Sequence, residues 1–275
     1  MIVEVDAPGP PRLAYAYTGG VRHGAGGEGT PALVFIHGAM HDHSVWTLCA
    51  RWFAHHGRRA YAVDLPGHGR SGGPPLASVE AMAGWLVAFL RAVRAGPAWL
   101  VGHSMGSLVA LEAAALAPDA MEGLVMVGTA YPMKVSPALL QMARDDPAGA
   151  IAQVDAWSHS TLAAKPSYPA PGAWLRGANR ALMHRMQGLG ARHGNLFEID
   201  FRACDAYAQG LEAAGRVRCP THFVLGTRDA MTPARASVEL GQALRASAHR
   251  VEAGHALMQE APDAVLAALR AAIGV

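Results

Sequence analysis

The sequence predicts an α/β protein with a mostly parallel central sheet that is covered by helices on both faces. Three observations predict this class. Short apolar runs alternate with longer stretches of helical periodicity, and these runs end in Gly, Asp or Pro. The chain has 275 residues, 51% of them hydrophobic, which is enough to bury one large core. One domain that carries an insertion therefore fits better than two independent domains.

Five apolar runs have the length of buried strands, and each precedes a loop that contains Gly or Asp. They are residues 32–36, 60–63, 98–101, 124–127 and 222–225. Residues 13–17 indicate an additional edge strand, residues 249–252 indicate a short late strand, and residues 24–29 indicate a flexible turn.

Stretches with helical periodicity separate these runs and are long enough to cover the sheet. The predicted helices are residues 45–55, 79–93, 105–117, 233–245 and 262–272. The Ala- and Leu-rich residues 81–93 are too few to span a bilayer, so we expect this stretch to be a core helix.

Residues 131–218 break the alternation, because they contain helical stretches and Pro/Gly punctuation but no apolar run typical of a buried strand. We predict that they form a helical lid inserted into an α/β core of residues 1–130 and 219–275. Apolar and aromatic side chains of this lid are candidates for lining a substrate pocket, although packing within the lid is the commoner role of any one of them. They are Trp157, Tyr168, Trp174, Leu182, Met183, Met186 and Phe197. The candidate substrate-binding residues are Met40, Trp157, Met183, Met186 and Met231.

The charge balance argues against a nucleic-acid or membrane partner. The chain carries 23 basic and 21 acidic side chains, a formal net charge of +2, so it lacks the basic surface that nucleic acid or anionic lipid requires. The first ten residues contain Glu4 and Asp6 and show no basic start followed by a long apolar run. We therefore expect a cytoplasmic protein without a signal peptide.

The three cysteines, Cys49, Cys204 and Cys219, are odd in number and have no metal-binding spacing. This argues against a disulfide framework and against structural zinc. The fourteen histidines invite a metal interpretation, most of all in the segments 41–43 and 55–56, but no third ligand is identifiable. We predict no metal and no cofactor.

The segment 102–106, Gly-His-Ser-Met-Gly, follows one predicted strand and precedes an Ala/Leu-rich predicted helix. This is the context of a nucleophile elbow, a sharp strand-to-helix turn that exposes the hydroxyl of Ser104. Side chains at 102 or 106 would clash across such a turn, which explains both glycines. The competing interpretation is a surface turn in which a serine happens to lie between glycines.

A second loop supplies a candidate oxyanion hole, the pair of N–H groups that stabilises the tetrahedral intermediate of acyl transfer. His37, Gly38, Ala39 and Met40 directly follow the strand 32–36. Gly38 permits a close approach of the backbone, so the N–H groups of Ala39 and Met105 are the predicted donors. Met40 is the alternative first donor. We interpret His37 and His103 as residues that orient their loops.

The remaining catalytic groups are predicted downstream. Asp229 lies in a loop directly after the strand 222–225, where the catalytic groups of such sheets gather. His255 follows the short late strand, which completes the chain order Ser, Asp, His. Asp200 and Asp205, near the end of the predicted lid, are the alternative acids, but they lack the context of a loop that follows a strand.

Taken together, these motifs resemble the α/β-hydrolase superfamily, in its branch of small capped esterase-like enzymes. The resemblance covers nearly the whole chain, because residues 37–38, 64–71, 102–106, 226–233 and 254–255 occur in family order. It implies the α/β-hydrolase fold with an inserted helical lid. The stretch 64–71 resembles a structural loop of the family, so we assign Asp64 and His68 no catalytic role.

The resemblance and the motifs imply a serine mechanism without a cofactor. His255 would take the proton of Ser104 as the hydroxyl attacks an acyl carbon, and Asp229 would hold the imidazole in the required tautomer. Water would then hydrolyse the acyl-enzyme. The predicted function is hydrolysis of a carboxylic ester of small or medium acyl size, with a small-molecule acyl substrate and a monomer or homodimer as the working unit.

The same three residues also suit other reactions. The alternatives are hydrolysis of a carbon–carbon bond in ring-cleavage products, of a lactone or of a thioester, and cofactor-free perhydrolysis. A carbon–carbon hydrolase is expected to place polar or cationic lid side chains against a carboxylated substrate. The candidates are Arg176, Arg180, Arg185 and Arg192, whose spacing fits a solvated helix face better. A receptor-like ligand-binding hydrolase fold is the alternative from a different class.

Overall fold

The computed structural model describes residues 1–7, 12–20, 30–160 and 174–275. The turn predicted at residues 24–29 and the predicted lid residue Tyr168 lie outside the described residues.

Within the described residues an eight-stranded sheet runs through the molecule, in the spatial order β1-β2-β4-β3-β5-β6-β7-β8. Its first two strands pair antiparallel, β2 pairs antiparallel with β4, and all other pairs are parallel. The strands are β1 Ile2–Val5, β2 Arg12–Tyr17, β3 Ala32–Ile36, β4 Ala60–Val63, β5 Ala98–His103, β6 Met121–Val127, β7 Thr221–Gly226 and β8 Ser247–Val251. The predicted mostly parallel sheet is confirmed. Residues 13–17, predicted as an edge strand, belong to β2, which pairs on both sides because β1 forms the edge beyond it. The sequence did not reveal β1 because only Val5 of its residues is buried.

Helices cover both faces of this sheet, as predicted. Those formed by residues before β6 and after β7 are α1 Thr47–His55, α2 Val79–Ala92, α3 Met105–Leu116, α9 Val238–Leu244, α10 Leu257–Glu260 and α11 Pro262–Ile273. The alternation of side chains along β3 divides the core: Val34 and Ile36 pack with α2 and α3, while Leu33 and Phe35 pack with α1 and α11. Every residue of β3 is buried, which explains its continuous apolar run.

The residues between β6 and β7 form helices where the structure describes them. They are α4 Pro137–Asp145, α5 Pro147–Ser158, α6 Leu175–Gly190, α7 Leu196–Ala206 and α8 Gly210–Arg216. Helices α4 to α7 enclose an apolar cluster of their own. Helix α8 instead packs against α3, and the buried Glu112 of α3 accepts hydrogen bonds from the Tyr207 hydroxyl at 2.8 Å and from Arg216 at 3.3 Å.

No helix among the described residues has the length and apolar composition needed to cross a membrane.

Candidate active site

Loops at one edge of the sheet bring the predicted site residues together. Parallel strands end at the same edge, so the loops that follow β3, β5, β7 and β8 meet there. These loops carry Ala39, Ser104, Asp229 and His255 respectively. Ala39, Ser104 and His255 line one common cavity.

Ser104 lies at the junction of β5 and α3 in a strained backbone conformation, with φ +52° and ψ −122°. Its N–H donates to the Val127 carbonyl of β6 at 2.9 Å, and its carbonyl accepts from the N–H and hydroxyl of Ser107 at 2.8 and 2.6 Å. These bonds hold the turn in a conformation that a residue with a side chain rarely adopts. Ser104 thereby lines the cavity directly before the first turn of α3.

Nearby backbone atoms leave no room for a side chain at either glycine of this turn. A Cβ atom on Gly102 would lie 2.1 Å from the Gly106 carbonyl oxygen. A Cβ atom on Gly106 would lie 2.4 Å from the His37 carbonyl oxygen and 2.5 Å from that of Ile36. Helix α3 therefore starts in direct contact with the ends of β5 and β3, and no larger residue fits between them.

His255 and Asp229 form a buried hydrogen-bonded pair. The Nδ1 atom of His255 lies 2.8 Å from Oδ2 of Asp229, and both residues are buried. Burial alone would raise the pKa of Asp229, but the His255 ring and the hydrogen bonds from Thr232 outweigh it and hold the pKa well below its usual value. The charged carboxylate thus keeps the proton of the ring on Nδ1, which leaves a lone pair on Nε2 of His255.

Thr232 is a site residue that the sequence reasoning missed. Its N–H donates to Oδ1 of Asp229 at 2.8 Å, its hydroxyl donates to Oδ2 at 2.7 Å, and the hydroxyl also lies 3.1 Å from Nδ1 of His255. The N–H of Met231 adds a further bond to Oδ1 at 2.9 Å. The available signal for this residue in the sequence was its position, three residues after the predicted catalytic aspartate and in the same short loop.

The alternative acids make other contacts. Oδ2 of Asp200 accepts from Nε2 of His68 at 2.9 Å and from the N–H of Met40 at 2.8 Å, and Asp205 accepts from the N–H of Val135 at 3.0 Å. Asp229 is the carboxylate that bonds the His255 ring in the described part of the chain.

His37 and His103 support the surrounding loops as neutral rings. Nδ1 of His37 donates to the Gly38 carbonyl at 2.8 Å while Nε2 accepts from the N–H of Leu65 at 3.1 Å. Burial and the neighbouring His68 lower the pKa of His37 to about 4. His103 donates from Nε2 to the His255 carbonyl at 2.9 Å, and burial together with the charge of His255 holds the pKa of His103 well below its usual value. This geometry fits the orienting roles that we predict for both rings.

Residues 37–40, which carry the predicted oxyanion donor and are called the oxyanion loop below, run directly past Ser104. A Cβ atom on Gly38 would lie 3.1 Å from Cβ of Ser104, so the backbone passes at close range, as the prediction requires. The N–H of Met40 is engaged by Asp200, which favours Ala39 over Met40 as the first donor. Ala39 lines the cavity beside Ser104.

The cavity at Ser104 has a volume of about 70 Å³. Residues from the loops after β3, β5, β7 and β8 and from the segment between β6 and β7 line it. They are Gly38, Ala39, His41, His103, Ser104, Met133, Lys134, Val135, Val154, Ser158, Phe201, Cys204, Met231, Thr232 and His255. Burial raises the pKa of the Cys204 thiol, so this cysteine stays protonated and does not compete with Ser104 as a nucleophile.

Of the five candidate substrate-binding residues, Met231 lines this cavity and the other four do not. Met40, Met183 and Met186 are fully buried in the apolar cluster enclosed by α4 to α7, and Trp157 is 42% exposed. Helical periodicity identifies an apolar face but not the surface against which that face packs. The methionines pack with their neighbouring helices, while side chains such as Val154 and Phe201 face the cavity.

One group of described side chains has the composition of a metal site, namely Asp42, His43 and Asp64, whose candidate ligand atoms lie within 4.8 Å of one another. All four of its carboxylate oxygens already accept hydrogen bonds. Asp42 accepts from Ser44 and Arg185, and Asp64 accepts from the N–H and ring of His43 and from the N–H of Arg70. The group is thus accounted for as a hydrogen-bonded support of the adjoining loops.

The fold and this site define a class of enzymes, and comparisons with known proteins agree. Residues 33–268 match the model of the alpha/beta hydrolase family. The chain is 30% identical over 241 residues to the pimeloyl-(acyl-carrier protein) methyl ester esterase of Chromobacterium violaceum, a match that covers 84% of this chain and 80% of that one.

Solved structures have the same fold. The esterase of Thermogutta terrifontis superposes with a TM-score of 0.80 at 20% identity and covers 98% of this chain and 97% of its own. The enol-lactonase of Burkholderia xenovorans gives a TM-score of 0.78 at 20% identity and covers 99% of this chain and 100% of its own. The chain belongs to the alpha/beta hydrolase family, and it is an esterase-like hydrolase.

We expect the substitution Gly106→Ala to disrupt the elbow, because the added methyl group would meet backbone oxygens of β3 and the oxyanion loop that cannot move independently. The free energy of unfolding, measured by urea denaturation, should fall by about 1–3 kcal/mol or more. The control is Gly188→Ala in α6, where a Cβ atom meets open space and alanine should be neutral or slightly stabilising. An unchanged urea midpoint for Gly106→Ala would contradict the close approach.

The buried neutral histidines predict a loss of stability in acid. The pKa of His37 in the folded state, about 4, lies below the unfolded value of 6.5, so between these pH values the unfolded chain binds more protons. Stability should therefore fall as the pH drops through this window, by about 2 kcal/mol between pH 7 and pH 5 from His37 alone, and His103 acts in the same direction.

Urea denaturation at pH 7, 6 and 5 measures this dependence. His37→Gln should lose part of the slope, whereas His55→Gln, at an exposed position at the end of α1, should keep it. Equal stability of the wild-type protein at pH 7 and pH 5 would show that His37 is not buried as a neutral ring.

Proposed function

We propose that the protein is a serine hydrolase that cleaves a carboxylic ester of small or medium acyl size through an acyl-enzyme on Ser104. The observation that carries the proposal is the common cavity of Ser104 and His255, with the ring of His255 bonded to the buried Asp229 at 2.8 Å. A nucleophile, a base and a group that orients the base are the parts that acyl transfer needs.

In the first half of the reaction, the Nε2 atom of His255 accepts the hydroxyl proton while the Ser104 oxygen attacks the ester carbonyl. The negative oxygen that develops is stabilised by the N–H groups of Ala39 and Met105 and by the N-terminus of α3. Charged Asp229 stabilises the His255 cation. The intermediate collapses when His255 gives its proton to the leaving alcohol, which leaves the acyl group on Ser104.

In the second half, His255 takes a proton from water, and the resulting nucleophile attacks the acyl-enzyme. The same two N–H groups stabilise the second tetrahedral intermediate. Return of the proton to the Ser104 oxygen releases the carboxylic acid and regenerates the enzyme. Each step is carried by side chains and backbone groups of this chain, in line with the prediction that the reaction needs no cofactor.

The lining of the cavity supports a small or medium acyl group. Val135, Val154, Phe201 and Met231 provide apolar walls, and the volume of about 70 Å³ leaves little room beyond a short chain. Helices α5 and α7 supply part of these walls, which supports the proposal that residues 131–218 act as a cap on the core. A small-molecule acyl compound is the partner we propose, for a cytoplasmic monomer or homodimer.

The contacts of the lid arginines favour the ester over the carbon–carbon alternative. Arg176 and Arg180 lie 3.3 and 3.8 Å from Asp155, and Arg185 pairs with Asp42. These three arginines are engaged by carboxylates of the chain itself and do not line the cavity at Ser104, and Lys134, which does line it, donates to the Asp205 carbonyl at 2.6 Å. A lactone, which is a cyclic ester, presents the same bond to Ser104 and is the second substrate type that we propose, because the enol-lactonase of Burkholderia xenovorans shares the whole fold.

A serine-directed fluorophosphonate should label the folded protein at Ser104, because the probe forms the same tetrahedral geometry as the ester intermediate. Ser104→Ala should abolish labelling and His255→Ala should weaken it. Ser247→Ala, at an exposed position on β8, should leave labelling unchanged. Peptide mapping locates the label, and an unlabelled wild-type protein would overturn the assignment of Ser104.

A panel of p-nitrophenyl esters of increasing chain length should give the highest kcat/KM at short or medium acyl chains, because longer chains exceed the cavity. A lactone, a thioester, a ring-cleavage dienoate and a perhydrolysis assay are measured in parallel. Turnover of the dienoate without turnover of any ester would contradict the proposed function and favour the carbon–carbon alternative.

A further inference from the structure

The peptide group between Ala39 and Met40 is held at both of its polar ends. Its N–H, on Met40, donates to Oδ2 of Asp200 at 2.8 Å. Its carbonyl, on Ala39, lies 2.6 Å from Nδ1 of the His41 ring. This is the peptide that follows the N–H group of Ala39, the first oxyanion donor in the proposed mechanism.

The first contact comes from outside the core, and the second, from His41 in the same loop, continues outside the core through Asn179. Asp200 is a residue of α7 and is fully buried; its Oδ2 also accepts from Nε2 of His68 at 2.9 Å, and its Oδ1 has no hydrogen-bond partner among the described residues. A buried carboxylate is costly unless donors reach it, so its place against the Met40 N–H is a specific arrangement.

The second contact, between His41 and the Ala39 carbonyl, is linked to two further helices. Nε2 of His41 lies 2.8 Å from Oδ1 of Asn179 on α6, and Nδ2 of Asn179 donates to Oδ1 of Asp155 on α5 at 3.1 Å. The bond to the Asp155 carboxylate determines which end of the Asn179 amide faces His41. His41 thus lies between the Ala39 carbonyl and the Asn179 amide oxygen. Because burial lowers the pKa of the His41 ring, the neutral ring donates to one of these two oxygens and keeps contact with the other.

The loop needs such support because its backbone is strained. Met40 has φ +60°, in the left-handed region that residues with side chains disfavour, and its own side chain is fully buried in the cluster enclosed by α4 to α7. If the contact with Asp200 or the contact with His41 were lost, the Ala39–Met40 peptide could rotate toward a relaxed conformation. The direction of the neighbouring Ala39 N–H would change with it.

We propose that Asp200 and Asn179 are positioning residues of the reaction: they hold the Ala39–Met40 peptide so that the Ala39 N–H points at the oxyanion. The inference rests on the proposed function, in which Ala39 supplies one of the two donors. Neither residue touches the reacting atoms. Helices α5, α6 and α7 must therefore be docked on the core for the oxyanion hole to be complete.

The test compares Asp200→Asn, Asp200→Ala and Asn179→Ala with the wild-type protein, using a short-chain p-nitrophenyl ester. Loss of an oxyanion donor costs about two to three orders of magnitude in kcat, and a neutral acceptor holds the Met40 N–H less strongly than a carboxylate. We expect kcat to fall about 10-fold in Asp200→Asn and about 100-fold in the alanine variants, with KM changed less than about 3-fold.

A second measurement separates positioning from stability. A trifluoromethyl ketone forms a hemiketal with a catalytic serine and places its oxygen in the oxyanion hole. Its inhibition constant should weaken in each variant by the same factor as kcat/KM falls. Rates are expressed per site that a fluorophosphonate can label, so an unfolded fraction does not count as lost catalysis.

The matched control is Glu198→Gln. Glu198 is also an ion-paired carboxylate of α7, but its partners are Arg144 at 3.0 Å and Arg202 at 2.7 Å, away from the oxyanion loop. This variant should keep the wild-type kcat and inhibition constant.

The inference is overturned if Asp200→Asn and Asn179→Ala lower only the melting temperature while kcat per labelled site and the inhibition constant stay at wild-type values. Asp200→Asn, which preserves the shape of the side chain, decides the question if an alanine variant does not fold. A wild-type protein that is neither labelled at Ser104 nor active on esters would instead overturn the proposed function, and the inference with it.

Discussion

The contact between the start of α3 and the ends of β3 and β5 is the constraint on which the rest of the site depends. Gly106 lies so close to the carbonyls of Ile36 and His37 that a single methyl group would not fit. This approach forces Ser104 into its strained turn and brings the oxyanion loop alongside the serine. Because this contact is between backbone atoms, it fixes the turn at Ser104 without relying on flexible side chains, whereas the oxyanion loop is also held by the side chain of Asp200.

Burial disfavours the charged form of each ionisable group in the site, and hydrogen bonds offset this effect for Asp229 but not for His37 or His103. Asp229 remains a carboxylate because four hydrogen bonds reach its two oxygens, while His37 and His103 are buried beside other imidazoles and remain neutral. Asp229 thus supplies a fixed negative charge beside the His255 ring, and the His103 ring, 4.8 Å from that of His255, stays neutral.

The helices between β6 and β7 contribute in two ways. Val154 and Phe201 form walls of the cavity, while Asp155, Asn179 and Asp200 carry hydrogen bonds toward the oxyanion loop. Met183 and Met186, which from sequence are attractive substrate contacts, are instead buried in the apolar cluster of these helices. The apolar surface of this segment thus stabilises its own packing, and its polar side chains connect it to the site.

Sequence patterns were enough to predict most strands and helices and the chain order of the candidate catalytic groups. The runs 32–36 and 60–63 match β3 and β4 to the residue, because buried parallel strands are continuous apolar runs. Ser104 and Asp229 were predicted because each follows such a run, and His255 because it completes the chain order after a short late strand. The tertiary structure alone decided the partners of these groups. Thr232 beside Asp229, Asp200 on Met40 and the cavity-facing side of each lid helix depend on contacts between residues far apart in the chain, which local periodicity does not encode.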